Sequence, residues 1–107
     1  MNNEQTILPS NATEAVKYVT KIARRLIDVM EQEGRALTMQ DGVSFTAAQE
    51  DKARLSKQYQ EASKEFQRRI LDFRSVDKAL LDKLDGVQRE LKGKSEENSA
   101  VMERMQG

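Results

Sequence analysis

From Asn11 onward, apolar residues recur at spacings of three and four: Val16, Val19, Ala23, Leu26, Met30 and Leu37, a series that skips only Glu33. Such spacing places them on one face of a helix. Ile22, Ile27 and Val29 widen the stripe beyond a narrow coiled-coil seam, as expected of a helix with two neighbours. Asn11 followed by Glu14 predicts a capping box, in which the Asn side chain accepts from an orphan N–H and the Glu reaches back. Gly34 weakens the last turns and Gln40-Asp41-Gly42 reads as a turn, which predicts a first helix over about 11–37.

A second stripe runs through Phe45, Ala48, Lys52, Leu55, Tyr59, Ala62, Phe66 and Ile70 and ends near Phe73. It predicts a helix over about 44–73 that starts at Ser44 or Thr46. Lys52 is the one charge on this stripe, and its methylene stem can lie along apolar surface with the ammonium outside. Ser75 offers the next N-cap, and Asp77 puts a negative charge in the first turn of a third helix over about 76–105. Val76, Leu80, Leu84, Val87 and Leu91 form its stripe, after which the same register meets Lys94, Asn98, Val101 and Met105. Helices of this length extend about 40 Å, and short connections make neighbours antiparallel. The expected fold is all-α, an elongated antiparallel three-helix bundle or a helical hairpin with a third helix alongside. It forms a single domain over 11–107 behind a disordered lead-in, 1–10.

Composition narrows the chemistry. The 107 residues include 18 Lys+Arg and 18 Asp+Glu, a formal net charge of zero, with no Cys and no His. Without Cys there is neither a disulfide framework nor thiolate metal ligation. Without His, the commonest general base and nitrogen ligand are missing, and the Glu-x-x-His motifs of di-metal bundles cannot be built. The pairs Glu31/Glu33 and Glu61/Glu65 therefore read as solvated surface charge. The five glycines are scattered rather than gathered into a phosphate loop. These features predict a non-enzyme without cofactor or metal. Apolar runs reach only three residues, too short for a membrane span. The opening MNNEQTILPSN lacks the features of a secretory signal, so a cytoplasmic protein is expected. Lys21, Arg24 and Arg25, like Arg68 and Arg69, are followed closely by acids, which predicts intrahelical ion pairs rather than a nucleic-acid stripe.

The informative irregularity is at Leu91. Beyond it Gly93, Lys94 and Asn98 interrupt the seam, and then Val101, Met102 and Met105 restore apolar character. Burying Lys94 and Asn98 unpaired would cost several kcal/mol, so this end is expected to pack less firmly than the first half of the helix. A fraying terminus would account for that. An adaptable, Met-rich face that orders against a partner helix also gives the apolar residues past Asn98 a purpose.

The series Leu26-Ile27-Asp28-Val29-Met30-Glu31-Gln32-Glu33, Ala36-Leu37, Asp41-Gly42, Phe45, Gln49-Glu50-Asp51-Lys52-Ala53-Arg54-Leu55 and Tyr59 has a recognisable order. In that order it resembles the FlgN family of flagellar export chaperones. The family shows the same order: a helix ending in acidic residues and an Ala-Leu pair, a short turn, and a helix opening on Glu-Lys followed by Leu. Here Asp51 separates the acid from the lysine. Leu84, Leu91 and Asn98 followed by apolar residues extend the likeness through the third helix, over about 16–105.

The resemblance implies a non-enzymatic cytoplasmic chaperone of flagellar type III secretion. Such a protein binds hook-associated (hook–filament junction) clients before export, with components of the export apparatus as further partners. It holds an amphipathic client segment with its C-terminal helix, which makes Leu91, Asn98, Val101, Met102 and Met105 the candidate partner-binding residues. Family members commonly continue for a few turns past the Asn, whereas this sequence ends at Gly107. The alternative expectation is a structural coiled-coil module that homodimerises through the same stripes. A different secretion or cell-division adaptor of the same shape is a third.

Overall fold

The computed structural model of the 107-residue chain describes residues 7–106, and the side chains at 101, 102, 105 and 106 lie outside that description. Three long helices follow one another: α1 (Ala12–Thr38), α2 (Gly42–Arg68) and α3 (Lys78–Gln106), with a 3₁₀ turn over Ile70–Ser75 between the last two. No strand occurs among the described residues. The chain is an all-α helical bundle, and α3 runs continuously through Gly93.

The helix ends follow from local hydrogen bonding. Asn11 Oδ1 accepts from the Glu14 N–H at 3.0 Å. The other half of the expected capping box gives way to an ion pair, since the Glu14 carboxylate lies 3.7 Å from Lys17 Nζ. At the far end of α1, Gln40 takes a left-handed φ of 58°. The Asp41 N–H donates to Ala36 O at 2.9 Å and the Gln40 N–H to Leu37 O at 3.2 Å. These two bonds satisfy the last α1 carbonyls in a Schellman arrangement. Asp41 then caps α2: Oδ1 accepts from the Ser44 N–H at 3.1 Å and Oδ2 from the Ser44 hydroxyl at 2.6 Å. So α2 begins at Gly42, ahead of the expected Ser44 or Thr46. The start of α3 is likewise set by Asp77 rather than Ser75. Asp77 Oδ1 accepts from the Ala79 N–H at 2.9 Å, and its carbonyl accepts from Leu81 N at 3.2 Å.

The second helix stops at Arg68, short of the expected Phe73. Phe66 and Phe73 stack with ring centroids 4.2 Å apart and planes at 9°. Seven residues of α-helix would separate them by about 10.5 Å along the axis. The 3₁₀ turn folds the chain back, closes that gap and buries Phe73.

Short connections place α2 antiparallel to α1 and return α3 parallel to it. The Arg24–Glu90 and Glu33–Asn98 pairs, separated by 66 and 65 residues, share one near-constant offset, as a parallel register requires. The helices form a flattened body of 46 × 34 × 20 Å, with α1 in the middle and α2 and α3 packed on α1 rather than on each other. This explains the breadth of the α1 stripe: Val16, Val19, Ile22, Ala23, Leu26, Ile27, Val29 and Met30 are all buried. Each large aliphatic among them contributes about 1.5–3 kcal/mol of transfer free energy. By contrast α2 buries only Ala48, Leu55, Ala62 and Glu65. Its predicted stripe positions Phe45, Tyr59 and Phe66 stay half-buried and Ile70 is exposed, because α3 does not close over them.

The lead-in is docked from Ile7 onward, against the expectation of disorder through residue 10; residues 1–6 lie outside the description. Leu8 sits in the core with Val16, Val19 and Phe73. Glu65 Oε1 accepts from the Ile7 and Leu8 N–H groups at 2.8 and 3.2 Å. Arg69 donates to Pro9 O at 2.9 Å and Ser10 O at 2.8 Å. Glu65, expected on a wetted face, is thus a buried clamp for otherwise unpaired backbone.

Candidate functional site: a groove between the flanking helices

Because α2 and α3 lie on either side of α1, a groove runs between them with α1 as its floor. Its wider part, about 470 Å³, has Leu26 and Met30 at the bottom, Ser56 and Tyr59 on one wall, and Gln88, Leu91 and Ser95 on the other. A continuation of about 300 Å³ is lined by Phe66, Ile70, Leu81 and Leu84, and Gln88 lines both parts. Tyr59 packs against both core clusters while remaining half-buried, so its ring belongs at once to the interior and to the groove wall. The floor is apolar and the edges carry neutral or charged polar groups. Amphipathic helices dock into grooves of this kind.

The end of the bundle beside the groove is tied by three polar side chains, one from each helix. Glu33 is 1% exposed. Its Oε1 accepts from Lys52 Nζ at 2.8 Å and from Asn98 Nδ2 at 3.0 Å. Asn98 Nδ2 also donates to Met30 O at 3.2 Å. Glu33 Oε2 has no hydrogen-bond partner among the described residues. The three interruptions of the three stripes therefore meet at one point. That corrects three expectations together. Glu33 is interior rather than solvated, the Lys52 ammonium turns inward rather than outward, and Asn98 is paired rather than a bar to packing. Lys94 makes its contact within its own helix, 3.8 Å from Glu97.

A second tie joins α1 and α3. Arg24 Nη1 and Nη2 donate to Glu90 Oε2 and Oε1 at 2.9 and 3.1 Å, a bidentate pair where an intrahelical one was expected. These bonds hold the Glu90 carboxyl below its ordinary value and raise the Arg24 guanidinium above its own. Arg69 does pair within its own segment, with Asp72 at 3.3 Å.

The sequence-predicted partner residues separate into two groups. Leu91 is buried in the core cluster with Leu26, Leu55 and Val87 while lining the groove, and Asn98 is engaged by Glu33 and Met30. Val101, Met102 and Met105 lie on the last turns of α3, and their side chains fall outside the described residues. Sequence reasoning assigned Tyr59, Phe66 and Ile70 to the core and so missed the groove wall. The available signal was the contrast between bulky aromatics and the small Ala48 and Ala62 on one stripe. Among the described residues no three His, Cys, Asp or Glu side chains gather into a metal-binding group, and no helix is long and apolar enough to cross a membrane. Comparison with known protein families, curated proteins and solved structures finds no match to this chain.

Proposed function

We propose that this chain is a helical binding module that holds an amphipathic helix of another protein in the groove between α2 and α3. Following the resemblance of residues 16–105 to the FlgN family, we assign the client as a flagellar hook–filament junction protein held before export. The observation that carries the reading is the groove itself. Three helices laid side by side leave the fourth position of a four-helix arrangement open, over an apolar floor of Leu26 and Met30 flanked by Tyr59 and Leu91. A client helix laid there would cover Tyr59, Phe66, Ile70 and Leu81. Its own ordering on binding would hold the affinity below what the buried area suggests, which suits a partner that must later be released. The last turns of α3, carrying Val101, Met102 and Met105, prolong the same helix beyond the polar tie.

The test is a calorimetric titration of the chain with a hook–filament junction protein. Ser56→Glu with Ser95→Glu puts two carboxylates where the client's apolar face would lie, and weakens binding at least tenfold, about 1.4 kcal/mol. Met102→Asp with Met105→Asp weakens it further if the client reaches the last turns of α3. Absence of binding refutes the assigned client, and binding indifferent to the Ser56/Ser95 variant refutes the groove. Sedimentation addresses the remaining occupant: a stable dimer that the Ser56/Ser95 variant dissociates would make that occupant a second copy of the chain.

A further inference from the structure

A second concave surface lies on the other flank of the α1–α3 contact, and it shares no lining residue with the groove. We propose that this cleft, of about 370 Å³, is a docking site for a protein segment in which an apolar side chain is flanked by carboxylates. Its floor is Val16, Val87 and Leu80, the first two buried and the third half-buried. Its walls carry Lys17, Lys21, Arg24 and Arg25 from α1 and Lys83 from α3, and no carboxylate lines it. Two of these cations are engaged within the chain, Lys17 with Glu14 at 3.7 Å and Arg24 with Glu90 at 2.9 Å. Lys21, Arg25 and Lys83 form no ion pair among the described residues.

In a chain whose charges sum to zero, five cations around one apolar floor are a local separation of charge that composition does not require. The Thr20 hydroxyl at the cleft donates to Val16 O at 2.8 Å, so the free donors facing a ligand are the cationic heads. An inorganic anion would leave the apolar floor uncovered, and a flat bilayer surface cannot enter a concavity between two helices. A short acidic segment with one or two apolar side chains satisfies the floor and the walls together.

The probe is a fluorescein-labelled synthetic peptide with a central Leu-Leu pair flanked by glutamates, titrated with the full chain by fluorescence anisotropy. Saturable binding is expected, weakened about tenfold or more by Lys21→Glu with Lys83→Glu and falling as salt is raised. Lys57→Glu with Lys64→Glu, an equal charge change at exposed α2 positions that do not line the cleft, leaves the affinity within about twofold, because charges at the solvent-exposed surface are screened by salt. A peptide with Ser-Ser in place of Leu-Leu binds at least about tenfold more weakly, because the floor stays wet. All these side chains are exposed, so the variants keep their circular dichroism; Lys21→Gln with Lys83→Gln repeats the test without charge reversal. Four results each overturn the proposal: no saturable binding, equal loss in both double variants, equal affinity for the Ser-Ser peptide, or tighter binding to phosphatidylglycerol vesicles or duplex DNA than to the peptide. None of them bears on the client groove, whose test uses a different ligand and different residues.

Discussion

Replacing Lys52 by Met removes the one cation among the described residues that reaches the Glu33 carboxylate and leaves the rest of the bundle in place. Glu33 then stays buried, with Asn98 Nδ2 as its one donor among the described residues and Oε2 still without a partner there. Stripping one member from a buried ion pair costs about 3–5 kcal/mol. Lys52 keeps 26% of its side chain exposed against 2% for Glu33, so water screens part of that loss. The expected cost is therefore about 2–3 kcal/mol, a fall in Tm of roughly 10–20 °C for a domain of this size. Glu33→Met with Lys52→Met removes both charges and fills the space with unbranched apolar chains. It is expected to return to within about 1 kcal/mol of the parent, since a buried pair contributes little over a well-packed apolar replacement. Asn98 retains Met30 O as acceptor in that background. Urea denaturation followed by far-UV circular dichroism supplies each free energy, and the two single variants and the double close a thermodynamic cycle. The reasoning fails if Lys52→Met costs less than about 0.5 kcal/mol, or if the double variant loses the sum of the two singles.

Glu65→Ala removes the acceptor for the Ile7 and Leu8 N–H groups; their amide exchange is expected to accelerate toward that of an open chain while amides in the middle of α1 stay protected, as hydrogen-exchange NMR would read. Gln40→Gly relieves a non-glycine residue held at φ 58° and is expected to raise stability by about 0.5–1 kcal/mol, seen as a higher urea midpoint at unchanged slope. The Arg24–Glu90 pair makes stability fall with acid. Glu90 is held below its ordinary 4.5, so its contribution is full above that pH and is lost as the pH drops through the depressed value. The urea midpoint, followed downward from about pH 5, is expected to fall less in Glu90→Gln than in the parent.

The helices were legible in the order of residues alone, because their signals are local. Apolar spacing of three and four, Asn11 as a cap and the turn at Gln40-Asp41-Gly42 depend on residues within a turn or two of each other; α1 and α3 stand close to their expected ranges, while α2 stops at Arg68 where the 3₁₀ turn takes over. The all-α class and the central role of α1 were legible for the same reason, since a stripe as wide as Ile22, Ile27 and Val29 make it needs two neighbours. Tertiary structure alone decided the partners of the residues that break the pattern. Glu33, Lys52 and Asn98 each look like an isolated fault in one helix, and they become a shared tie only once the antiparallel α1–α2 pair and the parallel α1–α3 pair bring them to one level. Glu65 likewise reads as surface charge until the Ile7–Ser10 segment folds over it. The same holds for the groove and for the basic cleft. A one-dimensional pattern tells which face of a helix is apolar, but whether a neighbour covers that face depends on where α2 and α3 come to rest around α1. In this chain they flank it rather than close on each other, and that placement leaves Tyr59 and Phe66 half in the core and half open to another molecule, with Ile70 exposed beside them.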